Sequence, residues 1–293
     1  MSRIPTGRSS RGSRMTSGGL AAFLLLALTS CSQETTEEWK RLGLPEPASD
    51  RAEFTAELWI GSWIAALIIG AFVWGLILWV CFRYRRRDDD ELPTQVRYNL
   101  PIEVLYTIAP IIVVAVLFFF TVEKQNSVIE LVDEPDHDVL VTAQQWSWSF
   151  TYLDEEALGG ETDVYEVGTP ETVPVLWLVE DQSVTFQLNS PDVIHSFWVP
   201  AFLYKLDVIP GRDQALQFFS LTPTTAGDFE GRCAELCGFQ HSRMLFTVKV
   251  VDQAAYEAHL LDLEQRGQVG TLVGAEDSNE IEGLETEDEE VAE

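Results

Sequence analysis

The run LWIGSWIAALIIGAFVWGLILWVCF, residues 58–82, contains no charged side chain. Its 25 residues would make a helix of about 37 Å, longer than the ~30 Å hydrocarbon core of a bilayer, so it reads as a membrane span with some tilt. Trp59 and Trp63 near one end and Trp79 near the other fall where interfacial aromatics are favoured. A second uncharged run, 104–122, would give about 28 Å as a helix, and Pro110 within it predicts a kink. Arg83, Arg85, Arg86 and Arg87 follow the first span and put the connecting loop, 83–103, on the cytoplasmic side. The acids at 88–91 contribute little to that rule, so the chain before the first span and after the second would lie outside.

Working outward toward the N-terminus, residues 1–19 carry Arg3, Arg8, Arg11 and Arg14 with no acid, and an apolar run of nine residues, 20–28, follows. A basic segment before an apolar run too short to span is a secretory signal. It ends Leu28-Thr29-Ser30-Cys31, which resembles a bacterial lipobox. Residues 1–30 are therefore expected to be a lipoprotein signal peptide, with Cys31 the lipidated first residue of the mature chain and 31–57 an external segment. An ordinary signal peptide cut nearby is the alternative.

The whole chain has 293 residues, with 47 acidic against 19 basic side chains and a formal charge of −28. At 46% hydrophobic and 11% aromatic it is too apolar for a disordered acidic protein. A nucleic-acid partner is excluded, because phosphate binding needs a basic face. Four cysteines are too few for a disulfide scaffold.

Beyond the hairpin, from about Asp138, short β-rich runs are broken by turn residues. The stretches 139–150, 172–178, 183–188, 214–220 and 244–251 read as strands, and a helical period returns only at 252–266. The expectation is a β-sandwich or barrel of roughly 110 residues within 123–252, followed by a C-terminal helix within 253–273. The acidic, Gly-containing stretch 155–170 reads as an inserted loop. Residues 274–293 hold ten acids and no base, and read as a disordered tail.

Chemistry concentrates in Cys233-Ala-Glu235-Leu-Cys237-Gly-Phe-Gln-His241-Ser-Arg-Met244, with His195 lying 38 residues upstream. Two thiols, two imidazoles and a thioether are soft or borderline ligands, a mixture that selects copper over magnesium, calcium or manganese. A Cys233–Cys237 disulfide with His and Met nearby is one alternative outside the cytoplasm. A zinc site is another, but it leaves Met244 unused.

The pattern His195…Cys233-x-Glu235-x-Cys237-x₃-His241-x₂-Met244 behind a two-helix anchor resembles subunit II of cytochrome c oxidase, over residues 50 to 252. The resemblance implies a membrane α + β fold: a two-helix transmembrane hairpin anchoring a C-terminal cupredoxin-like Greek-key β-barrel or sandwich. It implies two copper ions in a binuclear copper A centre, with Cys233 and Cys237 as bridging thiolates. His195 and Met244 would complete one copper, and His241 with the backbone carbonyl of Glu235 the other. The Glu235 side chain would face subunit I, where the family holds a magnesium or manganese ion. Thiolate bridges share one electron between two metals, and a site filled by protein ligands has no open position for substrate, which suits electron transfer. Asp192 and Arg212 are candidates for orienting the imidazoles.

The segment Gln144-Gln145-Trp146-Ser147-Trp148-Ser149-Phe150 resembles the family's aromatic stretch, which implies that Trp146 receives the electron from cytochrome c, while Trp148 packs inside. Glu103 matches a family glutamate at the cytoplasmic mouth of a proton pathway; at a helix start it could equally serve the helix dipole. The implied function is electron transfer from cytochrome c, or a haem c domain of a bc complex, to haem a of subunit I in an aa3-type oxidase of the bacterial cell membrane. Oxygen would be reduced there, with proton pumping. A quinol oxidase subunit lacks the copper ligands present here. A copper chaperone or sensor has no obvious use for Trp146 and Glu103, and nitrous-oxide reductase needs a second copper domain that is not visible. The acidic balance would attract a basic cytochrome c.

Overall fold

The computed structural model describes residues 33–85, 95–169, 171–211 and 217–273. The expected signal peptide 1–30, Cys31, Arg86, Arg87, Arg212 and the expected tail 274–293 lie outside the described residues. Residues 1–44 form a unit of their own, whose described part contains helix α1, Gln33–Lys40.

Helix α2 spans Asp50–Arg83 and helix α3 spans Leu100–Ile129. Both extend past the uncharged runs 58–82 and 104–122, because a helix starts where its cap is, not where its apolar face begins. Ser49 is the N-cap of α2 and accepts from the Ala52 N–H at 3.2 Å, so the helix opens on Asp50, Arg51 and Glu53. Asn99 caps α3, with Pro101 in the first turn, and the helix continues through Pro110. At 34 and 30 residues the helices are about 51 and 45 Å long. The apolar side chains of both face outward, as a bilayer requires and water does not permit. Arg51 ties the start of α2 to the end of α3 by donating to the carbonyls of Ser127 and Glu130.

The remaining chain forms two five-stranded sheets. One has the order β3-β2-β1-β5-β8, with β1 at His137–Gln144, β2 at Ser147–Leu153, β3 at Val164–Val167, β5 at Val184–Asn189 and β8 at Phe218–Leu221. The other has the order β4-β10-β9-β6-β7, with β4 at Val175–Val179, β6 at His195–Val199, β7 at Tyr204–Val208, β9 at Gly227–Cys233 and β10 at Leu245–Val251. Helix α4, Gln253–Gln265, is capped by Asp252 and ends well short of residue 273. Residues 268–273 instead cross the first sheet in extended form.

The expected strand 139–150 is two strands. It carries no Gly, Pro or Asn at the reversal, and the turn at Gln145–Trp146 is held by contacts from distant loops instead. The inserted loop 155–170 contains strand β3. Strand β9 escapes a hydropathy reading because Asp228, Glu230 and Arg232 alternate with Phe229, Gly231 and Cys233.

Alternation places Trp148, Phe150 and Tyr152 of β2 inward, where Trp148 meets Phe246 edge-on at 5.2 Å and Phe197 at 5.9 Å. Phe246 stacks on Phe197 at 4.9 Å, and Phe186 on Phe219 at 4.7 Å. Gly231 lies opposite Phe246 in the β9–β10 pair, and a Cβ there would overlap the ring. Gly231→Ala is expected to destabilise the domain by about 1–3 kcal/mol through this overpacking, read as a lower unfolding midpoint of the full-length protein in detergent.

A buried polar cluster joins α4 to the first sheet. His137 places Nδ1 3.0 Å from Glu155 and Nε2 2.7 Å from the Gln182 side-chain oxygen, while the Tyr256 hydroxyl donates to Glu155 at 2.7 Å. Both ring nitrogens face acceptors, which suits the doubly protonated imidazole. Burial works against that charge, but the Glu155 carboxylate outweighs it and raises the His137 pKa. A raised folded-state value contributes stability that is complete below the unfolded value of about 6.5 and fades as pH rises through the higher folded value. Chemical denaturation should accordingly show stability falling as pH increases above about 6.5, with a shallower fall in His137→Gln.

Candidate metal centre

The chemistry-bearing side chains meet at one end of the two sheets. Cys233 closes β9, His195 opens β6, and Cys237, His241 and Met244 lie in the β9–β10 connection. The two cysteine sulfurs stand 3.8 Å apart and are free thiols, so the disulfide alternative is not what the geometry contains. His195 Nδ1 lies 3.9 Å from Cys233 Sγ, His241 Nδ1 3.6 Å from Cys237 Sγ, and Met244 Sδ 3.7 Å from Cys237 Sγ. The Glu235 carbonyl oxygen is 3.2 Å from Cys233 Sγ, and its side chain is exposed. Donor atoms of His195, Cys233 and Cys237 all lie within 4.8 Å of one another, and these residues are buried.

Two cysteine sulfurs this close, with two imidazoles and a thioether beside them, form a set of mainly soft and borderline donors. The sulfurs share protons unequally. The Cys237 and His195 contacts hold the Cys233 thiol well below its ordinary value, while its neighbour's charge and burial push Cys237 up. One thiolate is thus favoured at neutral pH, the form a metal ligand needs. The donor chemistry and the spacing fit a copper pair.

Asp192 organises the histidine. Its Oδ1 lies 2.9 Å from His195 Nε2 and also accepts from the Val193 N–H, while Oδ2 accepts from the Gln145 N–H at 2.6 Å. A carboxylate on Nε2 requires the proton there, which leaves the Nδ1 lone pair facing the sulfurs. Burial opposes the Asp192 charge, but His195 and the two N–H groups outweigh it and hold the carboxyl below its usual range. Burial likewise disfavours charged His195, and the Asp192 carboxylate and Cys233 outweigh this and raise its pKa.

Trp146 is only 8% exposed, with its indole N–H donating to the Cys237 carbonyl at 3.0 Å. Gln145 donates to the same carbonyl at 2.8 Å, a contact that no residue pattern announces. Trp148 donates to the Met244 carbonyl at 3.3 Å from the interior. Glu103 is remote from this cluster. Its carboxylate accepts from the Asn99 N–H at 2.8 Å and Asn99 Oδ1 faces the Ile102 N–H, a capping box at the start of α3.

Over residues 37–123 the chain matches the family described as cytochrome c oxidase subunit II, transmembrane domain, and over 138–251 the one described as cytochrome c oxidase subunit II, periplasmic domain. It is 45% identical over 282 residues to a probable cytochrome c oxidase subunit 2 of Streptomyces coelicolor, spanning 85% of this chain and 86% of that one. It is 32% identical over 314 residues to the cytochrome c oxidase subunit 2 of Mycobacterium tuberculosis strain H37Rv, spanning 89% and 86% respectively. Among solved structures, the periplasmic domain of subunit II of cytochrome oxidase (CoxB) of Bradyrhizobium japonicum is 26% identical, with a TM-score of 0.40, covering 46% of this chain and 99% of that chain. Two apolar helices, a cupredoxin-like sandwich and a soft-donor cluster at its end thus come together in one sequence: the chain belongs to the cytochrome c oxidase subunit II family, the copper-binding membrane subunits of haem–copper terminal oxidases.

Proposed function

We propose that this chain is the subunit through which electrons from cytochrome c, or from a haem c domain of a bc complex, reach haem a of subunit I in an aa3-type oxidase. The observation that carries the reading is the cluster of two thiols, two imidazoles and a thioether, linked pairwise through Cys233 and Cys237 at 3.6–3.9 Å. Cys233, Cys237, His195, His241, Met244 and the Glu235 carbonyl would together hold two coppers. A copper pair held this way supplies a one-electron carrier with small reorganisation. The residues supply the rest: Asp192 fixes the His195 tautomer, the aromatic interior keeps water away, and ligands on every side leave no position for substrate.

Trp146 is the point at which electrons enter, which its hydrogen bond to Cys237 supports. The exposed Glu235 carboxylate would meet subunit I at a magnesium or manganese ion. Glu103 would stand at the cytoplasmic mouth of the proton pathway. Lipidation at Cys31 would add a second anchor, with the β domain on the extracytoplasmic side of the cell membrane.

The purified oxidase should show a mixed-valence two-copper EPR signal that Cys237→Ser abolishes. A mononuclear copper spectrum, or bound zinc, would reject the reading in favour of a copper-carrying or structural site. Trp146→Phe removes the indole N–H while keeping an aromatic ring. It should slow electron injection from cytochrome c by at least about tenfold, a loss of ~1.4 kcal/mol in barrier terms, with the EPR signal retained. An unchanged rate would reject Trp146 as the point of injection.

A further inference from the structure

Three separate parts of the chain converge on one imidazole. His137 opens β1, and its Nδ1 faces both carboxylate oxygens of Glu155, at 3.0 and 3.1 Å. Its Nε2 faces the side-chain oxygen of Gln182, in the turn between β4 and β5, at 2.7 Å. From α4, the Tyr256 hydroxyl donates to Glu155, and the Tyr256 ring packs edge-on against the imidazole at 4.8 Å. Asp136 and Asp138 flank His137 in sequence, and Asp136 accepts from Ser183, beside Gln182. Burial and the Glu155 charge push the Tyr256 hydroxyl well above its ordinary pKa, so it stays a donor. His137, Glu155 and Tyr256 are all buried. A neutral imidazole has one N–H for two acceptors, so losing a proton leaves either Glu155 or Gln182 facing a lone pair.

The pieces joined there carry a longer structure. Glu155 begins the segment that leads into β3, and α4 runs on into residues 268–273. The Tyr165 N–H donates to the Gln268 carbonyl at 3.0 Å, the Gly270 N–H donates to the Asp163 carbonyl at 2.9 Å, and Val269 bridges to Val164. Thr271 bonds to Asp163, the Leu272 N–H donates to Thr151 at 3.3 Å, and Thr142 donates to the Leu272 carbonyl at 2.7 Å. Asn189 donates to the Val273 carbonyl at 2.5 Å. Residues 268–273 are therefore a strap across the outer face of the first sheet, with Thr142 and Thr151 fully buried beneath it. Thr142 lies three residues before Gln145, and Asn189 three before Asp192, so the strap is fastened to the strands that deliver both.

Histidine is the side chain that changes charge near neutral pH, and the chain has four. His195 and His241 belong to the donor cluster. His259 of α4 stacks on Trp177 at 4.4 Å, and burial, with the charges of Arg266 and Lys249, pushes its pKa down to about 4, so it is neutral at pH 7. That leaves His137. Glu166, which faces Arg266 of the α4 end at 3.8 Å, is the other group to separate from it, because burial raises its carboxyl pKa and gives the same sign of pH dependence.

We infer that His137 is a pH-operated latch: doubly protonated, it clamps Glu155 and Tyr256 so that α4 and the strap stay on the first sheet, and on losing a proton it lets residues 253–273 open locally. The closed form is the one that binds the proton more tightly. Closure is therefore complete below the ordinary histidine value of about 6.5 and fades as pH rises through the higher value His137 has when buried beside Glu155. None of these groups belongs to the donor cluster, so the latch stands or falls independently of the electron-transfer reading.

The test is hydrogen–deuterium exchange of the intact oxidase complex, read by mass spectrometry from about pH 6 to about pH 9 and corrected for the intrinsic pH dependence of exchange. Protection of the 253–273 amides should fall above about pH 6.5 by up to about tenfold per pH unit, the limit for one proton, while the amides of β10 keep theirs. His137→Gln should be weakly protected at every pH and show no fall. Glu155→Gln removes the carboxylate that favours the charged imidazole, and should move the fall to lower pH. Glu166→Gln should leave it in place. Protection of 253–273 that does not change with pH in the parent overturns the latch. So does a fall that survives His137→Gln, or one that β10 shares in full, which would be unfolding of the whole domain. Should His137→Gln not assemble, Glu155→Gln decides alone, and a fall left at the parental pH overturns the inference.

Discussion

The loop bearing Cys237, His241 and Met244 belongs to one sheet and is held by side chains of the other. Gln145 and Trp146, in the turn of the first sheet, both donate to the Cys237 carbonyl, and Trp148 donates to the Met244 carbonyl. Each such bond contributes roughly 1 kcal/mol, but a buried carbonyl left without its donor costs about 1–3 kcal/mol. The loop and the turn are therefore a single mechanical unit. What gathers the donor atoms is a set of ordinary N–H···O=C bonds across the sandwich, and the aromatic interior beneath them, Trp148 on Phe246 and Phe197, fixes the distance over which those bonds must reach.

Asp192 extends that unit to a third segment. One carboxylate oxygen takes His195 and the Val193 N–H, and the other takes the Gln145 N–H. A half-buried charge of this kind is tolerated only because both oxygens are occupied. Removing it would free the His195 tautomer and the turn that carries Trp146 together. The imidazole on the sulfurs and the indole on Cys237 consequently share one support, which is an economical way to keep a donor cluster and its aromatic neighbour in register.

The sequence announced the ligands far more clearly than it announced the strands that carry them. Five soft donors with close spacing are readable because their chemistry is local, and the long uncharged runs are readable because hydrocarbon tolerates nothing else. Strand β9 was not, since Asp228, Glu230 and Arg232 face water and Gly231 faces the core only to leave room for Phe246. The β1–β2 reversal was invisible for a related reason: Asp192 and Cys237, distant in sequence, supply the constraint that Gly or Pro usually supplies locally. Glu103 was legible as a residue with two uses, and its place in the Asn99 capping box accounts for one of them. The strap over Thr142 and Thr151 had no signature at all, because extended chain pairing with side chains has no period to detect.

The strand registers also separate the attachment of the membrane helices from the site. Ala48 donates to the Ala201 carbonyl beyond the far end of β6, and Asp50 and Thr222 exchange bonds just past the end of β8, next to the start of β5. His195 is at the opposite end of β6, and Asn189 at the opposite end of β5. Six residues of β5 span about 20 Å, so the hairpin grips the sandwich at one set of strand ends while the donor cluster and the strap terminus occupy the other. Because both sets are tied into the same ladders, the hairpin orients the cluster through a rigid body without contributing to its ligands. That division lets the cluster end present loops to partners without burdening them with holding the domain on the membrane.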